Sequence, residues 1–155
     1  MKNLLSALLL GLVCAFALPP VVAQPTGKPD KIGIVRHNHI ALQVKDIAAS
    51  AKFYRETLGL EPAPVPENLK AIRAWFNIGQ GQQIHLLDGR TQPVTNDRNG
   101  SHFAVFVENM EQTEAYLKKR AIPYHLQVRF DGVKQIYIAD PDGYLVEFNQ
   151  ISTKY

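Results

Sequence analysis

The chain has 155 residues, 46% of them hydrophobic and 20% charged, with a formal net charge of +3 and a single cysteine. That length and balance suit one ordinary globular domain with enough material for a core, and they exclude a disordered chain. The basic excess is small and its longest block is Lys118-Lys119-Arg120, so the charge footprint of a nucleic-acid-binding protein is missing; one cysteine excludes an internal disulfide.

The first residues read as a targeting segment. Lys2, an apolar run from Leu4 to Leu18 and the small-residue end Val21-Val22-Ala23 have the layout of a secretory signal at 1–23, cleaved near Ala23. Export to a periplasm or to the outside is the expectation, with no stable membrane association after cleavage; a retained anchor is the alternative, although Pro19 and Pro20 leave the run short for a span. Cys14 would be lost with the signal. Residues 24–33 form a flexible leader rich in Pro, Gly and charge, and the domain runs over 34–151.

Within it, apolar residues alternate from Ile34 to Val44, which predicts a strand with His39, Ala41 and Gln43 on one face and Ile40, Leu42 and Val44 on the other. Asp46 caps a helix that carries Ile47, Ala51, Tyr54 and Leu58 at helical spacing and stops at Gly59. Short strands follow at 60–65, 70–78 and 83–87, the last two joined through a Gly-Gln-Gly turn. The polar stretch at 88–100 links two modules, 34–90 and 101–151. The second module repeats the order: a strand at 101–107, a helix at 110–120 capped by Asn109, then strands at 123–130, 133–139 and 144–151. Asp131-Gly132 and Asp140-Pro141-Asp142-Gly143 supply its turns.

The two modules are copies. HIALQVKDIAASAKFYRETL at 39–58 and HFAVFVENMEQTEAYLKKRA at 102–121 share one plan, and GQQIHLLDG at 81–89 is echoed by GYLVEFNQ at 143–150. The copies make His39 equivalent to His102 and His85 equivalent to Glu147. In all four strands these residues avoid the larger apolar set, so they are expected to line the opposite, concave face of a curled sheet while two helices cover its outer face. Histidines and a carboxylate on neighbouring strands suit a divalent transition metal. His39, His85, His102 and Glu147 are therefore the candidate metal ligands, with open positions for water or a chelating substrate. Gln43, Gln83, Arg73 and Asn149 are candidate substrate-binding residues. His37 is a candidate outer group, His125 has no repeat partner of ligand type, Arg98 is an alternative to Arg73, and Trp75, Phe76 and Phe106 are candidate walls.

The stretches NHIALQVKDIAASAKFYRETLGLE at 38–61, GSHFAVFVEN at 100–109 and IADPDGYLVEFNQ at 138–150 resemble the vicinal oxygen chelate superfamily of glyoxalases, bleomycin-binding proteins and extradiol dioxygenases. The resemblance implies an α+β fold of paired βαβββ modules forming a cup, and a divalent metal, Zn, Fe, Ni or Mn, that gives electrophilic help to a substrate chelating through neighbouring oxygens. It matches His39 and His102 to first-strand ligands and Glu147 to the last-strand carboxylate; in a lyase or isomerase, Glu147 or a bound hydroxide would move the proton. His85 stands where the isomerase branch tends to carry an acid or amide.

Three functions follow as expectations. The first is a metal-dependent lyase or isomerase of the glyoxalase type acting on a small molecule. The second is a non-catalytic drug or metabolite binding module, and the third a ring-cleaving dioxygenase using His39, His102 and Glu147. A homodimer, with a metal site inside one chain or shared between two, is compatible with each.

Overall fold

The computed structural model describes residues 32–151. The expected signal sequence and all but the end of the leader lie outside them. The first module consists of β1 (His39–Val44), α1 (Ile47–Lys52) continued by a π-helical turn (Phe53–Thr57), β2 (Pro62–Ala63), a 3-10 turn (Glu67–Leu69), β3 (Arg73–Gly79) and β4 (Gln82–Asp88). The second consists of β5 (Phe103–Val107), α2 (Met110–Lys119), β6 (His125–Val128), β7 (Lys134–Ala139) and β8 (Leu145–Gln150).

Each module builds a mixed four-stranded sheet, ordered β1-β4-β3-β2 in the first and β5-β8-β7-β6 in the second. This is the expected α+β fold of paired βαβββ modules. The first and last strands of each module run parallel, a connection that needs an intervening crossover, whereas the hairpins run antiparallel. The registers carry the repeat into space: Ala41 lies beside His85 in one sheet, and its copy Ala104 lies beside Glu147 in the other.

Several strand boundaries differ from the sequence reading, and the expected strand over 123–130 contracts to His125–Val128. The first strand starts at His39, not at Ile34, because β4 begins at Gln82 just beyond a tight turn; after Gln83 N–H donates to the Asn38 carbonyl there is no ladder left for earlier residues to join. The strand expected over 60–65 shrinks to Pro62–Ala63, since prolines at 62, 64 and 66 have no N–H to give. Asp46 caps α1 as expected, its carboxylate accepting from the N–H groups of Ala48 and Ala49, and Gly59 ends the helical run with a positive φ of 67°.

Strand parity decides the core. Leu42, Val44, Ile84, Leu86 and Phe76 are buried with Tyr54 under α1, and Ile136, Ile138, Val146 and Phe148 are buried with Met110 and Leu117 under α2. Phe53, Leu58 and Phe103 pack against both clusters, so the two cores meet.

The modules are also joined by the Asp140–Gly143 turn, which docks on α1. The Asp142 side chain is 3% exposed and pairs with Arg90 at 2.7 Å. It also accepts from the Lys45 N–H at 2.8 Å and the Ser50 hydroxyl at 2.9 Å. Burial pushes the Asp142 carboxyl up, but the Lys45 N–H, the Arg90 guanidinium and the Ser50 hydroxyl together outweigh it and hold the group below the usual carboxylate range. Asp140 accepts the buried Tyr54 hydroxyl at 3.0 Å; burial raises this carboxyl in spite of its donors, and burial beside Asp140 drives the Tyr54 phenol far up.

Removing one partner of a buried pair strands the other charge, at a cost of about 3–5 kcal/mol. Arg90→Ala should lose about 3 kcal/mol of unfolding free energy in urea at pH 7. Because the folded Asp142 is more acidic than the unfolded one, its contribution is present above the ordinary carboxylate range and disappears as pH falls through the depressed value. The gap between wild type and Arg90→Ala should therefore narrow under acid; a gap that stays constant with pH would show that the pair is not the source.

Candidate functional site

The faces turned away from the helices carry the chemistry, and each sheet gathers one of the predicted pairs. On the first sheet, Ala41, His85 and Trp75 stand side by side on β1, β4 and β3. The His85 ring is sandwiched, 4.2 Å from the His39 ring and 4.4 Å from the Trp75 ring, with planes within 15° in both cases. Gln83 directs its amide N–H to Asn77 at 3.1 Å, so its oxygen faces His85 Nε2 at 2.8 Å and that nitrogen carries the hydrogen. Burial first, then the neighbouring His39, lowers the His85 pKa from its ordinary value, which keeps the ring neutral. His39 Nδ1 lies 2.6 Å from the Asn38 side-chain oxygen.

On the second sheet, His102 Nε2 lies 2.6 Å from Glu147 Oε2, and the Glu147 side chain is 6% exposed. His102 Nδ1 faces the Gly100 carbonyl at 3.0 Å. A carbonyl only accepts, so Nδ1 holds a hydrogen and Nε2 is the nitrogen turned to the carboxylate. The other carboxylate oxygen accepts from the amides of Gln135 and Asn149, the latter at 2.7 Å. Tyr137 lies directly opposite Glu147 across the ladder and meets the His102 ring edge to face at 5.7 Å. Burial, then the Glu147 charge, raises the Tyr137 phenol.

From Gln135 the hydrogen bonds run on to Gln127 at 2.9 Å and from there to Arg98 at 3.2 Å. Arg98 also donates to His125 Nε2 at 2.7 Å. Gln127, Gln135 and Tyr137 were not among the residues expected from the sequence. Their signal was available in KQIYIA, where Gln135 and Tyr137 alternate with Ile136 and Ile138 and so must share the face of Glu147.

The four expected ligands do not meet around one ion. Their donor chemistry suits a first-row dication, yet among the described residues no group of three or more His, Cys, Asp or Glu is placed to hold a metal. β4 carries His85 to β1 and β8 carries Glu147 to β5, but no ladder joins the two sheets, so the convergence occurs within each module and stops at pairs. The stack adds a local obstacle, because an ion sits in the plane of a ligating imidazole while His85 and His39 present their flat faces to each other.

The remaining candidates have differing occupations, and Phe76 lies in the core and not in a wall. Gln43 spends its amide on the Gly89 carbonyl at 3.1 Å, and Arg73 donates to the adjacent Ile72 carbonyl at 2.8 Å. Asn149 is part of the Glu147 cradle. Phe76 is core, Trp75 is in the stack, and Phe106 is 73% exposed. His37 is exposed at the approach to β1.

Comparison with known proteins agrees with this architecture. A family model described as Glyoxalase/Bleomycin resistance protein/Dioxygenase superfamily matches residues 36–148. The chain is 29% identical to "Glyoxylase I 4" of Arabidopsis thaliana over 71% of its length and 67% of that protein's. It is also 29% identical to the mitochondrial methylmalonyl-CoA epimerase of Homo sapiens, over 86% of its length and 87% of the relative's. Among solved structures, lactoylglutathione lyase from Agrobacterium tumefaciens superposes with a TM-score of 0.60 at 23% identity, covering 77% of this chain and 96% of that one, a likeness of fold.

The sandwich makes His85 a reporter for its face. In a proton NMR titration it should titrate below an ordinary histidine. His39→Gln should move it upward by only part of the difference, since burial is the larger cause. A His85 that titrates like an exposed histidine would refute the stack.

Proposed function

Because the chain belongs to the Glyoxalase/Bleomycin resistance protein/Dioxygenase superfamily, we propose that it is a glyoxalase-like enzyme of the lyase or isomerase type, moving a proton on a small substrate with neighbouring oxygens. The observation that carries this reading is Glu147, a nearly buried carboxylate with one oxygen held by two amides and the other aimed at His102. An acid kept in this way has one oxygen for a substrate proton, and two fixed amide donors prevent it from turning aside. Glu147 takes the proton from a carbon next to a carbonyl and returns it to the adjacent atom or the other face, while His102 braces the receiving oxygen. Tyr137 and Asn149 border the carbon being deprotonated.

The family's members typically use divalent metals, which supply electrophilic polarisation of substrate oxygens. One chain does not offer a shell of three or four ligands among the described residues, so the metal enters this proposal as a site built on His102 and Glu147 of one copy and completed by a second. A two-fold dimer would contain two such sites. Export through the sequence at 1–23 is part of the same proposal, and it directs attention to small free acids and carbonyl compounds in place of the CoA thioester named for the human relative.

A second reading is favoured by the Trp75–His85–His39 stack, whose outer ring is exposed: binding of a flat drug or metabolite without chemistry. The dioxygenase reading has no comparable support, because it needs His39 gathered with His102 and Glu147 on one ion.

The test is exchange of carbon-bound hydrogen for solvent deuterium in a panel of small 2-hydroxy carbonyl compounds and 2-oxo acids, followed by NMR with and without oxygen. Wild type should accelerate exchange of at least one compound without consuming oxygen, and Glu147→Gln should lose about a hundredfold or more. Undiminished exchange in Glu147→Gln, or metal retained in both His102→Ala and Glu147→Ala, would reject the site.

A further inference from the structure

The polar face of the second sheet ends in a cation that no carboxylate claims. Arg98 lies in the linker between modules, and its NH1 donates to His125 Nε2 at 2.7 Å and to Gln127 Oε1 at 3.2 Å. Both partners are neutral acceptors on β6. The other paired arginines are occupied differently: Arg55 meets Glu56, Arg90 meets Asp142 and Arg129 meets Asp131. Among the described residues Arg98 forms no salt bridge, and one nitrogen of its guanidinium accounts for both recorded bonds.

Two side chains thus hold a full positive charge in place and leave the rest of its fork free. A guanidinium presents its N–H groups in a plane suited to a carboxylate or phosphate. Accepting from Arg98 also requires an unprotonated His125 Nε2, so the imidazole adds no competing cation on that side.

Position connects this cation to the proposed base. His125 lies directly opposite Tyr137, and Tyr137 directly opposite Glu147, so the three form one row across β6, β7 and β8. Gln127, Gln135 and Asn149 form the next row on the same face. Two strand spacings, roughly 10 Å, separate the ends of each row. Tyr137 lies between, with Glu147 and Arg98 acting on its phenol in opposite senses.

We propose that Arg98, braced by His125 and Gln127, is the subsite for the anionic end of the substrate, a carboxylate or phosphate several bonds from the carbon that faces Glu147. The inference rests on the reading of Glu147 as the base and adds the substrate class: a small organic anion lying across Tyr137, its charged end on β6 and its reacting end on β8. Arg98 binds and positions the substrate without taking part in proton transfer.

The experiment measures binding apart from turnover. Full-length protein is titrated with propionate, with methyl phosphate and with the neutral propionamide, following the Arg98 side-chain and β6 amide resonances by NMR. At least one of the two anions should bind saturably and propionamide should not; which anion binds more tightly tells carboxylate from phosphate. Arg98→Gln should weaken that binding about tenfold, as expected for loss of a charge-assisted hydrogen bond, and Arg98→Lys should restore part of it. Glu147→Gln should keep the binding or tighten it, because it removes a nearby negative charge, even though it abolishes exchange. Anion binding that is absent from wild type, or is unchanged in Arg98→Gln, overturns the subsite. Loss of exchange with binding intact concerns the base alone, so the two proposals fail separately.

Discussion

The placement of Glu147 on the polar face of the second sheet depends on how the Asp140–Gly143 turn is anchored. Asp142 brings a charge into a site 3% exposed, tolerable only because Arg90, the Lys45 N–H and the Ser50 hydroxyl converge on it. Those partners come from the first module and the linker, while the turn leads into β8, the strand of Glu147. The same contacts that satisfy a buried charge therefore fix where β8 begins. Three residues later, at Leu145, the strand starts with its parity set. Asp140 shows the cost of an acid with weaker company: its partners include the Tyr54 hydroxyl and two backbone N–H groups, and burial prevails.

Parity then divides the labour. The apolar sets of both sheets are used up under α1 and α2, which frees the opposite faces to differ. In the first module that face holds flat rings, and burial, with His39 beside it, lowers the His85 pKa. In the second it holds amides, hydroxyls and a carboxylate tied into one hydrogen-bonded row. Equivalent positions of a duplicated module have thus come to do unlike things, since a histidine can stack where its counterpart Glu147 must be solvated by neighbouring donors.

Much of this was legible in the sequence, because duplication and alternation are one-dimensional signals. The module order, the caps Asp46 and Asn109, and the separation of His39, Ala41 and Gln43 from Leu42 and Val44 all followed from them, while the family came from the resemblance of the stretches at 38–61, 100–109 and 138–150. The pairing of His102 with Glu147 emerged only with the fold, from the parallel joining of first and last strands. What could not be read was whether the two pairs share an ion, since that depends on how two sheets without a common ladder are set against each other. The Glu147 cradle was missed for a different reason: Gln135 is 8% exposed, and a glutamine in a strand is informative only once its carboxylate neighbour is known. Arg98 lies on a linker with no periodicity to place it.

The contact between His102 and Glu147 explains why this pair, more than the stacked one, is chemically poised. Nδ1 is committed as a donor to the Gly100 carbonyl, so the 2.6 Å approach of Nε2 to Oε2 brings two lone-pair-bearing atoms together unless something positive lies between them. A proton satisfies this gap as it stands. That proton joins Oε2 to His102 while the amides of Gln135 and Asn149 hold Oε1, so the carboxylate is fixed from both sides. The first sheet has no counterpart to this, because His85 meets two flat rings and a single amide oxygen where Glu147 meets donors on both of its oxygens.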